Sequence, residues 1–463
     1  MTEFPAFAST RGKAPKADFA HTLLAGLAPD GGLYLPEAWP QIGPVEQAAF
    51  AEMSYADAAT AILTRFAGGS FSQSEIAEDV AAAYAGFEDP AIAPLVEIGD
   101  DLYLLELFHG PTLAFKDIAL QILGRLFARA LAKRGGRATI VAATSGDTGS
   151  AAIAALGGLP NIDVFVLHPK GRVSDVQRRQ MTTSPHANVH NIALEGTFDD
   201  AQAIVKALFA DTQFANAVNL TAVNSINFAR IAAQAVYYFT ASAQLGGAAT
   251  FVVPTGNFGD VFAGDAAMRM GLPIEKLVVA TNSNDIMARA LTTGILERGE
   301  VHATLSPSMD IQVSSNFERA LFEASGRNAP WLTEQMQAFA ATGRIDLGAS
   351  FIDLAERYDA YAVSDDETLS TMARFHAEAG EFIDPHTAVA LNAALGLGQT
   401  DGPIVVLSTA HPAKFPDAVT KATRLPPPIP DRLKGVFSGT ERVTTLPNDK
   451  ALVRVHIESK LGR

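Results

Sequence analysis

Cysteine is absent from the 463 residues. Disulfides, thiolate metal sites and a cysteine nucleophile are therefore excluded, and the chain reads as cytoplasmic. Positive charge is also short: 35 Lys and Arg stand against 50 Asp and Glu, giving a net charge of −15 and a pI near 5.1. That balance disfavours nucleic acid and anionic membranes as partners, because both need a basic face. A small anionic ligand responds to local charge and stays open. Long apolar runs are missing too, since the richest stretch, Ala229 to Ala243, is broken by polar residues and cannot be a membrane span. The first 19 residues lack the apolar core of a signal peptide. The ten histidines show no metal spacing. His186 and His190 are four apart, but in a stretch that reads as a strand, so they would not share a helical face. G-x-S-x-G, the Walker A loop and G-x-G-x-x-G are all absent, which leaves no sign of a serine elbow, a nucleoside triphosphate or a dinucleotide.

What is present is core material. Hydrophobic residues make up 48%, and the length exceeds what one core usually supports, so two or three domains are expected. Residues 1–95 read as a mostly helical unit. Ala49 to Phe66 is apolar at helical spacing, and Pro29-Asp30-Gly31-Gly32 is strong turn chemistry. A boundary is expected near Asp89 to Pro94. Over residues 96–430 short apolar runs alternate with helical patterns. The expected strands are Leu102–Leu107, Ala138–Ala143, Val164–Leu167, Val189–Leu194, Thr250–Val253, Leu277–Ala280 and Ile404–Leu407. Helices are expected over Ala119–Ala132, Ser150–Leu156, Ala201–Phe209 and Ile226–Ala241. This alternation predicts α/β architecture with a parallel sheet covered on both faces and ligands at the carboxyl ends of its strands. Residues 300–350 break the rhythm as a more polar helical insertion. Ser364-Asp365-Asp366-Glu367 is a capping box, Leu425 to Pro428 is a stiff extended segment, and residues 431–463 form a tail with no assigned structure.

Four loops after expected strands could carry chemistry. In Phe108 to Asp117, Lys116 lies between Phe115 and the apolar Ile118-Ala119-Leu120. Desolvation there would lower its pKa and make the amine a nucleophile; a surface lysine whose stem covers apolar neighbours has the same spacing. Thr144-Ser145-Gly146-Asp147-Thr148-Gly149 leads into an alanine-rich helix, as either an anion cup or an ordinary capped turn. Gly256-Asn257-Phe258-Gly259-Asp260 repeats that layout with the same two readings. Ser408-Thr409 places two hydroxyls at a strand end. A weaker candidate is Asn224, Asn227 and Arg230 at a helix start, suited to a phosphate or to capping alone. The residues thus reach an α/β enzyme with two anion cups and a candidate amine nucleophile.

Together these segments resemble threonine synthases of the bacterial and fungal kind. The likeness is carried by His109-Gly110-Pro111-Thr112-Leu113-Ala114-Phe115-Lys116-Asp117, Thr144 to Gly149, Gly256 to Asp260, Ser408 to Phe415, and, near the start, Ser9-Thr10-Arg11-Gly12 and Pro29 to Tyr34. The resemblance implies the pyridoxal-phosphate fold type II: two open, twisted, mostly parallel sheets with helices on both faces, plus an N-terminal extra domain. It implies that Lys116 carries pyridoxal 5′-phosphate and serves as the general base. Gly256, Asn257, Phe258, Gly259 and Asp260 would cup the cofactor phosphate. Thr409, in preference to Ser408, would meet the pyridine nitrogen. Thr144, Ser145 and Thr148 would bind the substrate carboxylate together with Asp147, whose own role stays open. Asn224, Asn227 and Arg230 would receive the substrate phosphate. The implied reaction turns O-phospho-L-homoserine and water into L-threonine and phosphate by β,γ-elimination and replacement, in a monomer or homodimer. Two rivals are a serine/threonine dehydratase or sulfhydrylase-like lyase on the same fold, and a non-catalytic homologue that only binds the cofactor.

Overall fold

The computed structural model describes residues 4–144, 146–398 and 400–462. Two sheets organise them. One has six strands in the order Tyr358–Ala362, Ile274–Thr281, Ala249–Pro254, Ile404–Ser408, Leu102–Glu106, Leu95–Gly99. All of its pairings are parallel except the last, where Leu95–Gly99 runs antiparallel to Leu102–Glu106. The other has five strands, all parallel, in the order Thr444–Pro447, Val189–Glu195, Ile162–Pro169, Ala138–Ala143, Leu220–Thr221. Every apolar run expected to form a strand does so, because a strand buried on both faces reads as a continuous hydrophobic stretch.

The expectations that failed did so for local reasons. Ala49 to Phe66 is not one helix. Pro44–Ala49 passes into a 3-10 turn at Phe50–Glu52, and Ser54 then caps a new helix over Tyr55–Ala67 by accepting from the Asp57 N–H. Apolar spacing continues across the break, so periodicity alone could not find it. The long helix expected from Ile226 starts at Phe228 because Asn227 caps it. The tail beyond 430 is structured: helix Asp431–Ser438, strand Thr444–Pro447 on the edge of the five-stranded sheet, and helix Lys450–Lys460.

The residues preceding the first sheet share the main core. Phe7 and Phe66 pack edge to face on Phe228, and Trp39 lies tilted against the same ring, so the first eighty residues sit on the long helix Phe228–Leu245. They also reach the 300–350 insertion. Thr10 Oγ1 donates to Glu318 at 2.7 Å, Arg11 pairs with the same carboxylate at 3.0 Å, and the Trp39 indole donates to Glu323 at 2.9 Å. The Pro-Asp-Gly-Gly turn is built by Asp30, whose carboxylate accepts from Ser9 Oγ and from the N–H groups of Gly32, Lys13 and Ala14.

Candidate active site

The two sheets meet at a cleft of about 720 Å³, partly open to solvent, walled by Lys116, Asp147, Thr148, Arg230, residues 254–261, Ser308, Met309, His386, Thr409 and Ala410. All four loops singled out from the sequence contribute to this wall, and backbone bonds explain why two of them coincide. The Leu107 N–H donates to Ser408 O at 2.9 Å, Phe115 N–H to Thr409 O at 2.8 Å, and His411 N–H to Leu113 O at 3.1 Å. Lys116 and Thr409 are thereby stitched into one wall. Within the lysine loop, buried Asp117 accepts from the Thr112 N–H and hydroxyl, both at 2.7 Å. Gly110 is required there, because a Cβ would lie 2.4 Å from the Asp117 Cβ.

Lys116 opens the helix Lys116–Arg134, with 11% of its side chain exposed. Burial pushes its amine below the ordinary lysine range. Asp147 opposes that shift, and the neighbouring Lys414 and Arg230 add to it. The amine is desolvated, and the side chain does not lie on the surface. Asp147 holds the cluster together. Its carboxylate lies 2.8 Å from Lys414 Nζ and 3.6 Å from Lys116 Nζ, and accepts from Gln177 at 2.8 Å and Ser308 Oγ at 3.2 Å. Burial would raise this carboxyl, but the two lysines outweigh burial and hold it well below the usual range. Such a residue organises lysines; it is not a free acceptor facing a substrate carboxylate.

The turn Gly256–Gly259 has the equipment of an anion cup. Its carbonyls are tied outward: Ser314 Oγ donates to Gly256 O at 2.7 Å, and Asn316 donates to Asn257 O through its backbone at 3.1 Å and its side chain at 2.9 Å. Among the described residues, the N–H groups of Gly256, Asn257, Phe258 and Gly259 donate to no protein group. Phe258 adopts a left-handed conformation, φ 61°, which aims successive N–H groups at one point. Gly256 cannot carry a side chain, since a Cβ would press on the Ser308 carbonyl at 2.8 Å. Beside the turn, Arg230 is buried with its Nε unpartnered, and burial lowers it to about 10. An unpaired buried guanidinium next to open N–H donors fits a phosphate.

Asp260 has a second role that the sequence did not disclose. Its carboxyl accepts from the hydroxyls of Tyr237 and Tyr238. Burial raises it to about 7 against the lowering effect of these two donors, so it stands behind the cup as a carboxyl about half protonated at neutral pH.

Several expected contacts need correction. Thr144 does not face the cleft. Its hydroxyl accepts from the N–H groups of Gly146 at 3.0 Å and Gly149 at 2.9 Å, shaping the loop instead. Asn227 is buried, with Oδ1 accepting from Ala229 N–H and Nδ2 donating to Leu23 O; it is a cap and a tie to the N-terminal segment. Asn224 Oδ1 accepts from Ile226 N–H and does not line the cleft. Of that trio only Arg230 reaches it. Ser145 lies outside the described residues. Ser408 is turned to Thr387 at 3.0 Å, leaving Thr409 as the hydroxyl of that pair in the wall.

Two groups went unnoticed in the sequence. Ser308 comes from the insertion and bridges Lys116, at 3.5 Å, and Asp147. His386 lies in the cleft wall with Nδ1 2.7 Å from Asp384 Oδ1, while its Nε2 accepts from the Ser308 N–H at 3.3 Å. The signal was an Asp cap, Pro and His in Asp384-Pro385-His386, which reads first as an ordinary helix start.

A buried lysine at a helix start, a hydroxyl at a neighbouring strand end and an open N–H cup define a class. Residues 90–410 match the family described as pyridoxal-phosphate dependent enzyme. The flanks narrow it further: residues 6–84 match the threonine synthase N terminus and residues 387–457 its C-terminal region. The chain is 48% identical over 463 residues to a threonine synthase of Pseudomonas aeruginosa, covering 99% of each. It is 42% identical to one of Saccharomyces cerevisiae, covering 90% of this chain and 88% of that one. A crystal structure of pyridoxal-phosphate-bound threonine synthase from Brucella melitensis superposes with a TM-score of 0.97 at 48% identity, covering 98% and 99% of the two chains. The chain belongs to the threonine synthase family of pyridoxal-phosphate-dependent lyases.

Proposed function

We propose that this protein converts O-phospho-L-homoserine and water into L-threonine and inorganic phosphate, the final step in making that amino acid, with Lys116 as the residue that joins the cofactor and moves the protons. The carrying observation is the lysine itself: buried, pushed toward its neutral form, and faced by an anion cup. Pyridoxal phosphate, when bound, supplies an aldehyde for that amine and a ring that accepts the electron pair left by a departing carbon-bound proton. Gly256 to Gly259 would hold its phosphate with their open N–H groups, beside the Arg230 guanidinium and in front of Asp260. Thr409 would meet its ring nitrogen.

The chain's own groups then have distinct tasks. Lys116 Nζ would take the substrate's α proton as a neutral amine, which its desolvation favours. Asp147 keeps Nζ oriented through the direct contact and through Ser308. The N–H groups of Asp147 and Thr148 open the helix Asp147–Leu156 and would meet the substrate carboxylate at its positive end. Arg230 is the one cation of the expected phosphate trio in the cleft wall, so we place the leaving phosphate within its reach.

The N-terminal and C-terminal matches argue against a serine/threonine dehydratase or sulfhydrylase-like lyase, and the intact lysine cluster argues against a homologue that only binds the cofactor. The test is Lys116→Ala, assayed for phosphate and threonine release from phosphohomoserine beside keto-acid release from serine and threonine. Turnover and the absorbance band of the lysine-linked cofactor should both vanish. A variant that keeps the band would refute the lysine assignment. A wild-type protein that makes keto acids but no threonine would refute the reaction.

A further inference from the structure

A second cleft, of about 390 Å³, lies away from the catalytic one and shares no wall residue with it. It sits where the C-terminal strand Thr444–Pro447 pairs with Val189–Glu195. His190 is near the amino end of its strand, whereas the catalytic loops follow carboxyl ends, so the two clefts occupy opposite ends of the architecture.

Its walls carry an unusual excess of base for a chain of net charge −15. His190, His456, Lys460 and Arg442 all line it. His456 and Lys460 are one turn apart on the last helix and so share a face. His190 is held in place by stacking on Phe165, with ring centroids 4.5 Å apart. Arg442 Nη1 donates only to the carbonyls of Ser184 and His186, both at 3.2 Å. None of the four has a carboxylate within ion-pair distance among the described residues. The nearest opposing charge to His190 is Asp163, already paired with Arg137 at 3.1 Å.

Clustered bases with no acid in ion-pair reach repel one another. A bound anion relieves that repulsion. We propose that this cleft binds a small oxyanion of the phosphate type. Arg442, Lys460 and His456 meet its charged oxygens. Binding is linked to protons. Burial first, then Lys460, holds both histidines below their ordinary range; Arg442 and His456 add to this at His190, and Asp163 opposes it. A bound anion reverses that local field, so protons are taken up and affinity rises as pH falls.

The holoenzyme, titrated with inorganic phosphate near pH 6.5, tests this through the imidazole proton resonances of His190 and His456, assigned with His190→Asn and His456→Asn. These report on this cleft and not on the catalytic one. Both should move saturably toward their protonated positions, with a midpoint on the order of 1 mM. Lys460→Gln, which breaks no backbone contact, should weaken binding roughly tenfold and leave threonine formation unchanged. Resonances that stay still, or that move equally in Lys460→Gln, overturn the site.

Discussion

Replacing Asp147 by asparagine removes one negative charge from a place where two buried lysines depend on it. The pairs lie at 2.8 Å to Lys414 and 3.6 Å to Lys116. At an effective dielectric constant near 20 these attractions are about 6 and 5 kcal/mol in gross terms. Desolvation of all three groups offsets most of that, and removing one member of a buried pair typically costs about 3–5 kcal/mol. The structure sets where the loss stops. Lys116 is already pushed down by burial, and without Asp147 it sheds its proton sooner. A lysine that is neutral when folded and charged when unfolded makes the unfolded chain bind more protons. Stability of the variant therefore rises with pH until the unfolded lysine also titrates, near 10. The wild-type carboxylate is held low, so its contribution is present above the ordinary aspartate range and is lost as pH falls below about 4. We expect Asp147→Asn to lose about 3–5 kcal/mol at pH 7 and visibly less at pH 9.5. The assay is denaturant unfolding of the cofactor-free protein, followed by both near- and far-ultraviolet circular dichroism because a chain of this size can unfold in steps. A variant within about 1 kcal/mol of wild type at pH 7, with no narrowing at higher pH, would show that Asp147 does not anchor the lysines.

Two further outcomes follow from the same wall. Holding the Asp260 carboxyl at about 7 costs the cofactor-free protein of order 4 kcal/mol once pH exceeds 7, because its folded pKa is raised and stability falls between pH 4 and 7. Asp260→Asn should flatten that limb of the stability curve, and an unchanged slope would remove Asp260 as its cause. His386 supplies an acceptor for the Ser308 N–H, and losing it leaves a part-buried donor unpaired at a cost of about 1 kcal/mol on the turn that touches Lys116. His386→Ala should lower kcat about tenfold, while His386→Gln, whose Oε1 can replace Nε2 as acceptor, should recover part of it. Equal loss in both variants would count against this linkage.

The lysine loop shows how far a sequence can be read. Its apolar neighbours made Lys116 a candidate, but spacing alone equally fits a surface lysine, and the resemblance of its loop to the threonine synthase segment singled it out. Its desolvation, however, depends on Lys414, Arg230 and Asp147, which are up to about three hundred positions apart in the chain. The same holds for Thr144 and Asn227. Their residue types suit an anion, and only the fold decides that their polar atoms are used on their own loops. Ser308 was invisible because its segment has no periodic pattern.

By itself the sequence determined the elements whose causes are local: apolar runs that must be buried strands, glycine turns that must face something close, caps that start helices, and the absence of thiol chemistry. Tertiary structure decided which polar atoms remain unpartnered, because that depends on every neighbour at once. The open N–H groups at 256–259, the bare Arg230 Nε and the neutral-leaning Lys116 are properties of an assembled wall, where burial and distant charges set each group's proton affinity and leave it free to bind.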